Sequence, residues 1–190
     1  MIPENYYKVN ILKKPKLKLA NWLLKRRQKA FKRKKAVFNF DTAQTVGVLF
    51  SLDHGQSYQT IKEFLDFLSD KKLQTFTLAY CPEKEIPNNY IGVSRINIFT
   101  SQELNWLYIP NDPIIEKFTT KPFDILFDLT PPDQFPTKYV NNLSRARFKI
   151  GMESESGKEH DMMFQIDERQ DIKYFIEQVK HYISQINKEE

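Results

Sequence analysis

Asp53 and His54 are neighbouring residues whose types could form an acid–base pair. They follow an apolar run at residues 45–50 that predicts a buried strand, and a parallel sheet binds its ligands beyond the carboxyl ends of its strands. A general base also needs an orienting partner and a substrate pocket, and sequence neighbours in a loop usually point in different directions. The loop has one glycine and no G-x-G-x-x-G or Walker pattern, and Asp53 would repel a phosphate. We therefore predict a polar loop that closes onto a helix cap at Ser57.

The other residues with catalytic or metal-binding side chains are scattered along the chain. His160 and His181 have no metal-ligand spacing around them, and Cys81 is the single cysteine, which excludes a disulfide framework and a cysteine-based zinc site. Asp124 and Asp128 are four residues apart on one predicted strand, where they would lie at its two ends rather than form a carboxylate pair. We therefore expect a protein that is not an enzyme and that holds neither a metal nor another cofactor.

The charge is distributed very unevenly along the sequence. Residues 1–36 contain thirteen Lys and Arg residues and one acid, a net charge of +12, whereas residues 37–190 carry a net charge of −7; together they give the +5 of the whole chain. Such an asymmetry indicates a polyanionic partner that is contacted through the N-terminal arm.

RNA is the polyanion that the arm fits best, because many Lys and Arg contacts gain from counterion release and aromatic residues lie between them. Trp22 and Phe31 would stack on bases or dock the arm on the domain. Arg145, Arg147 and Lys149 form a second basic cluster, whose alternate spacing would put them on one face of a strand. The predicted phosphate contacts of the arm are Lys13, Lys14, Lys16, Lys18, Lys25, Arg26, Arg27, Lys29, Lys32, Arg33, Lys34 and Lys35.

An anionic membrane surface is the second candidate partner. Apolar residues between positions 17 and 24 could enter a lipid interface while the basic residues face the headgroups. An interfacial helix keeps its apolar face along its length, but residues 25–35 contain only Ala30 and Phe31 as apolar side chains. No run approaches about 18 apolar residues, so we expect no membrane-spanning helix. No signal peptide is recognisable either, which favours a cytoplasmic protein.

Alternating strand and helix patterns follow the arm. Strands are predicted at residues 45–50, 73–80, 90–99, 123–129, 148–151 and 162–166, and helices at 16–35, 58–71, 113–118, 135–145 and 168–186. Alternation of this kind requires crossover connections. We therefore predict an α/β, Rossmann-like and mainly parallel sheet flanked by helices over residues 41–190, with a basic helical N-terminal extension over residues 1–40.

Two stretches carry a resemblance to known proteins. Residues 123–129 (FDILFDL) and 144–151 (SRARFKIG) resemble a strand, helix and turn in one Rossmann-like half of heptosyltransferase-type glycosyltransferases, within a region from 46 to 152. The resemblance implies the fold, and it implies a half-domain without activity, because the chain is too short for the second half that binds the nucleotide-sugar. The whole pattern also resembles a family of small Bacteroidota proteins with a basic arm before a compact domain.

The sequence thus predicts a non-catalytic RNA-binding protein that is associated with the ribosome. Many ribosomal proteins combine a compact domain with a basic extension that threads into rRNA. A lineage-specific ribosomal protein would bind ribosomal RNA through the arm and face neighbouring ribosomal proteins with its domain. Two alternatives stay open: a peripheral inner-membrane protein that uses the same arm, and a glycosyltransferase-like half-domain that binds a nucleotide-sugar.

Overall fold

The helices and strands of the chain alternate as the sequence patterns predict. The computed structural model describes residues 13–29, 32–52, 58–90, 95–132, 134–154, 157, 159–167 and 171–186. The strands are β1 (Thr45–Ser51), β2 (Gln74–Cys81), β3 (Ile96–Thr100), β4 (Ile125–Asp128), β5 (Phe148–Met152) and β6 (Met162–Phe164). The α-helices are α1 (Lys13–Lys29), α2 (Tyr58–Asp70), α3 (Pro113–Thr120), α4 (Phe135–Leu143) and α5 (Ile172–Gln185).

The six strands form one sheet in the order β3-β2-β1-β4-β5-β6, and every neighbouring pair is parallel. Parallel neighbours need crossover connections, which α2, α3 and α4 help to supply. This strand order is that of a doubly wound dinucleotide-binding sheet. The predicted α/β Rossmann-like fold is therefore confirmed.

Helices cover both faces of the sheet. Successive side chains of β4 face opposite layers of helices. Ile125 and Phe127 face the cluster that contains α2 and α5, whereas Leu126 faces the cluster that contains α3 and α4. Gly47 in β1 lies close to the second cluster, because a Cβ atom there would come within 2.8 Å of the Phe123 ring. Each fully buried large apolar side chain stabilises the fold by about 1.5–3 kcal/mol.

Several element boundaries differ from the prediction. The third strand begins at Ile96 rather than at Tyr90, because residues 88–90 form a short 3₁₀ turn. The last helix begins at Ile172, because the Asp171 carboxylate caps it by accepting a hydrogen bond from the Tyr174 amide at 2.9 Å. The first helix ends at Lys29, and residues 32–39 have no regular secondary structure.

Candidate nucleic-acid interface

The basic helix α1 is docked on the domain through its apolar face. Ala20 and Leu24 are four residues apart and therefore share one face of the helix, and both are buried. Leu17 and Leu23 pack against the same cluster and are partly buried. The buried partners come from α4 and from the segment before α3: Leu107, Ile109, Phe135 and Tyr139. Four of the six apolar side chains of α1 thus contact the protein itself.

Two polar contacts with α4 fix the rotation of α1 about its axis. The Arg27 guanidinium donates a hydrogen bond to the Tyr139 hydroxyl and lies 5.8 Å from the centre of that ring. Burial raises the pKa of Tyr139, so its phenol stays neutral and can accept this bond. The Gln28 side-chain amide donates to the Asn142 side-chain oxygen. Part of the Arg27 guanidinium is therefore used to dock α1 on the domain.

The opposite face of α1 is cationic and exposed. Lys18, Trp22, Lys25 and Lys29 are spaced at i, i+4, i+7 and i+11, which places them in one stripe along the helix, and all four are exposed. The guanidinium of Arg26 lies 5.8 Å from the Trp22 ring centre, within the range of a cation–π contact. Within the described residues, no carboxylate forms an ion pair with any cation of this stripe.

Beyond the helix, Arg33 anchors the chain to the domain. Its guanidinium donates to the carbonyl oxygens of Ala146 and Arg147 and, at 2.6 Å, to the Asp161 carboxylate. The exposed Lys35 ammonium lies 3.0 Å from the same carboxylate oxygen. Arg33 is therefore a structural anchor and not, as predicted, a free phosphate contact.

Most of the other predicted cations of the arm point to solvent. Those that are exposed are Lys16, Lys18, Lys25, Arg26, Lys29, Lys32, Lys34 and Lys35. Lys13 and Lys14 begin α1, but their side chains lie outside the described part of the chain, as does Phe31.

The second predicted basic cluster is not a continuous surface. Arg145 is exposed and precedes β5, whereas Arg147 lies 3.3 Å from the Asp124 carboxylate and 4.5 Å from the centre of the Phe38 ring. Lys149 is only 3% exposed, and its ammonium donates to the main-chain oxygen of Asn141 on α4. The prediction that Lys149 contacts RNA is wrong, because α4 covers this face of β5.

A family comparison covers nearly the whole described fold. The model of a family of unknown function, DUF6913, matches residues 16–186. The chain belongs to this family. The matched region begins at Lys16 and thus contains most of α1 together with all six strands of the sheet. Among curated proteins, no match to the chain is found.

In this DUF6913 member, a buried polar network lies beneath α4. The His160 ring nitrogen Nε2 is 3.0 Å from the Asp128 carboxylate and 2.9 Å from the Asn141 amide nitrogen. The ring packs on Gly151, where any Cβ atom would overlap the imidazole. The His160 and Asp128 side chains are each 6% exposed, so the pair is almost completely covered by the protein. The pair therefore fixes residues 159–161 against β4 and α4.

The same network holds the anchor of the arm in place. The Asp161 carboxylate accepts a hydrogen bond from the Lys149 amide at 2.9 Å with one oxygen and from Arg33 with the other. Burial alone would raise the pKa of Asp161, but these bonds and Lys35 hold it at about 2, so the group stays ionised. Burial, with a smaller contribution from the charge of Arg33, lowers the pKa of Lys149 to about 7. These contacts do not follow from local sequence patterns, because the residues come from five separate segments.

Cys81 and Asp128 lie at the carboxyl ends of β2 and β4. The Cys81 thiol is buried, burial raises its pKa, and its sulfur donates to the Glu85 carbonyl at 3.6 Å. Asp128 ends β4, and its carboxylate accepts hydrogen bonds from the hydroxyl and the amide of Thr130, at 2.6 and 3.1 Å. The polar loop predicted at residues 53–57, with Asp53 and His54, lies outside the described residues.

Proposed function

We propose that this protein binds RNA through the outward face of α1 and the exposed lysines that follow it, and that it is a ribosome-associated, non-catalytic protein. The observation that carries the proposal is the division of α1 into two faces. The apolar face is buried against α4, and the remaining face presents Lys18, Lys25 and Lys29 in one stripe around Trp22.

The stripe suits a phosphodiester backbone. Lys18 and Lys29 are about 16 Å apart along the helix axis, long enough to follow several consecutive phosphates. The part of the chain after residue 36 has a net charge of −7, so the positive potential is concentrated on the N-terminal segment. Each phosphate neutralised by a Lys or Arg releases counterions, and binding of this kind needs no base-specific geometry.

The same geometry gives less support to a lipid surface as the partner of α1. A helix that lies in a membrane interface buries a continuous apolar face, but docking leaves only Leu19 and Trp22 as exposed large apolar side chains on α1. Among the described helices, none has the length and apolar character that crossing a membrane requires. Vesicle flotation distinguishes an anionic membrane from RNA as the partner.

The concentration of positive charge on the arm and of negative charge on the domain supports the proposal of ribosome association. An exposed cationic helix can lie on rRNA while the acidic domain faces solvent or neighbouring ribosomal proteins. Such a protein acts in the cytoplasm and needs no cofactor for this role. The docked position of α1 also limits the ordering entropy that a flexible arm would lose on binding.

Two charge-reversal variants test the proposal. The α1 reversal variant carries Lys18→Glu, Lys25→Glu and Lys29→Glu. The control reversal variant carries Lys71→Glu, Lys84→Glu and Lys173→Glu, which are also exposed but lie outside α1 and alter the net charge equally. Each protein is expressed in cells, and its position in a sucrose gradient of the lysate is determined by immunoblot at low and at high salt.

The wild type and the control reversal variant are expected to sediment with a ribosomal subunit, and the α1 reversal variant is expected at the top of the gradient. Nuclease treatment should release the wild type. Sedimentation of all three proteins at the top would overturn ribosome association. Flotation of the wild type with anionic vesicles that survives nuclease would overturn RNA as the partner in favour of a membrane.

A further inference from the structure

Both tryptophans of the chain are exposed. The sequence contains only Trp22 and Trp106, and their exposed fractions are 55% and 67%. Tryptophan is highly buried on average in folded proteins, and this fold buries other large aromatic residues such as Phe64, Phe99 and Phe123 completely or nearly so. Both indoles are thus available for contact with a partner.

A tight turn holds Trp106 outward. The Asn105 side-chain oxygen accepts hydrogen bonds from the amides of Leu107 at 2.9 Å and Ile109 at 3.1 Å, and the Asn105 amide donates to the Ile109 carbonyl at 3.0 Å. Tyr108 adopts a φ of 61°, in the left-handed region that is costly for a residue with a side chain. Trp106 thus lies on a turn with a fixed conformation rather than on a loose loop.

The turn is joined to the basic helix. Leu107, next to Trp106, and Ile109 are buried in the same cluster as Ala20 and Leu24 of α1. Trp22 extends from the other side of this helix, among the lysines of the stripe. Both indoles are therefore carried by elements that pack directly on each other, which presents them in fixed positions before any ligand binds.

We infer that Trp22 and Trp106 are stacking platforms for unpaired nucleotides, so that the RNA recognised is single-stranded or looped rather than a continuous duplex. This inference rests on the proposed function. An indole stacks on any base whose face is free, whereas bases inside a duplex are already stacked on each other. Lysines alone would bind single strands and duplexes through their phosphates, so the indoles add the preference for unpaired segments.

The intrinsic fluorescence of the full-length protein tests this inference directly, because Trp22 and Trp106 are its only tryptophans. The protein is titrated with a single-stranded RNA of mixed sequence and with the same RNA annealed to its complement. Trp22→Ala and Trp106→Ala are compared with Tyr174→Ala, a matched removal of an exposed aromatic ring on α5. Circular dichroism and the Tm show that each variant is folded.

The single strand is expected to bind at least tenfold more tightly than the duplex and to quench the tryptophan emission. Each tryptophan variant should bind the single strand roughly 5- to 100-fold more weakly, with duplex binding and the Tyr174→Ala variant unchanged. Equal affinity for both RNAs without quenching would overturn the inference and leave RNA binding through α1 intact. Absence of binding to either RNA at low salt would overturn the proposed function itself. A wild-type dimer that becomes monomeric in the tryptophan variants would show that the indoles bind a second copy, which also overturns the inference.

Discussion

The Arg33 guanidinium donates to the Asp161 carboxylate at 2.6 Å, across 128 residues of sequence. Both side chains are largely buried, and the second oxygen of Asp161 accepts the amide of Lys149 in β5. One cation of the basic segment is thus used to fasten the chain to the sheet. The lysines on either side of it, Lys32 and Lys34, remain exposed.

Arg33→Ala and Lys34→Ala are expected to affect different properties of the protein, its stability and its RNA binding respectively. Loss of Arg33 leaves the Asp161 carboxylate buried with fewer donors and should lower the free energy of unfolding by about 1.5–3 kcal/mol. Loss of Lys34, an exposed residue, should change it by less than about 0.5 kcal/mol while weakening RNA binding. Urea denaturation measures the first effect and a binding titration the second. Equal stability of the two variants would contradict the role of Arg33 as an anchor.

Leu24→Ala should loosen the docking of α1. Leu24 is buried in the cluster with α4, and truncation of a buried leucine typically costs about 2–5 kcal/mol. We expect faster hydrogen exchange of the α1 amides, measured by mass spectrometry. Leu19→Ala, on the exposed side of the same helix, is the matched control and should leave the exchange unchanged. Similar exchange in both variants would show that the packing of α1 does not depend on Leu24.

The change of stability with pH in the alkaline range should reveal the lowered pKa of Lys149. Burial lowers its pKa from 10.5 to about 7, whereas the unfolded chain keeps the proton until about pH 10. Between these values the unfolded state binds more protons, so the contribution of Lys149 to the free energy of unfolding rises with pH, by roughly 1 kcal/mol per pH unit. Below pH 7 both states are protonated and this contribution is constant.

Urea denaturation of the wild type and Lys149→Met at several pH values from 6 to 10 measures this contribution. The difference between the two proteins should grow in favour of the wild type above about pH 7. Lys173→Met, which removes an exposed lysine of α5, is the control and should give a difference independent of pH in this range. Parallel curves for the wild type and Lys149→Met would contradict the lowered pKa.

Acid should remove the contribution of the Asp161 carboxylate to the free energy of unfolding. Its pKa of about 2 in the folded protein lies below the ordinary value of 3.8, because the hydrogen bonds from Arg33, the Lys149 amide and Lys35 outweigh burial. The stabilisation by the ionised carboxylate is complete above about pH 4 and is lost as the pH falls towards 2. The stability difference between wild type and Asp161→Asn should therefore shrink over this interval, measured by thermal denaturation. A difference that stays constant down to pH 2 would contradict this assignment. Asp66→Asn, which changes a half-exposed aspartate of α2, provides the comparison.

The sequence predicted the sheet and its flanking helices because apolar periodicity is a local property. Ile172 and the apolar residues after it repeat every three to four positions, and the run at residues 45–50 is continuous, so each element type follows from neighbouring residues. The exposed lysines of α1 were predictable for the same reason.

Contacts between distant segments were not predictable from local patterns. Alternate spacing grouped Arg145, Arg147 and Lys149, but β5 begins at Phe148, and the face that carries Lys149 is covered by α4. Whether a lone tryptophan in a loop is buried also depends on packing, so Trp106 carried no signal. Arg33 and Asp161 lie 128 residues apart in the sequence, so no periodic pattern predicts that they pair.

The most direct test of the account is the affinity of the purified protein for a fluorescein-labelled single-stranded RNA, measured by anisotropy over a series of salt concentrations. We compare the wild type with the α1 reversal variant (Lys18→Glu, Lys25→Glu and Lys29→Glu) and with the control reversal variant. We expect the α1 reversal variant to bind at least tenfold more weakly and its slope of log K against log salt to be smaller by about 2, since three phosphate contacts are lost. The control reversal variant should follow the wild type. Equal affinity and equal salt dependence in all three proteins would contradict the claim that the outward face of α1 binds RNA.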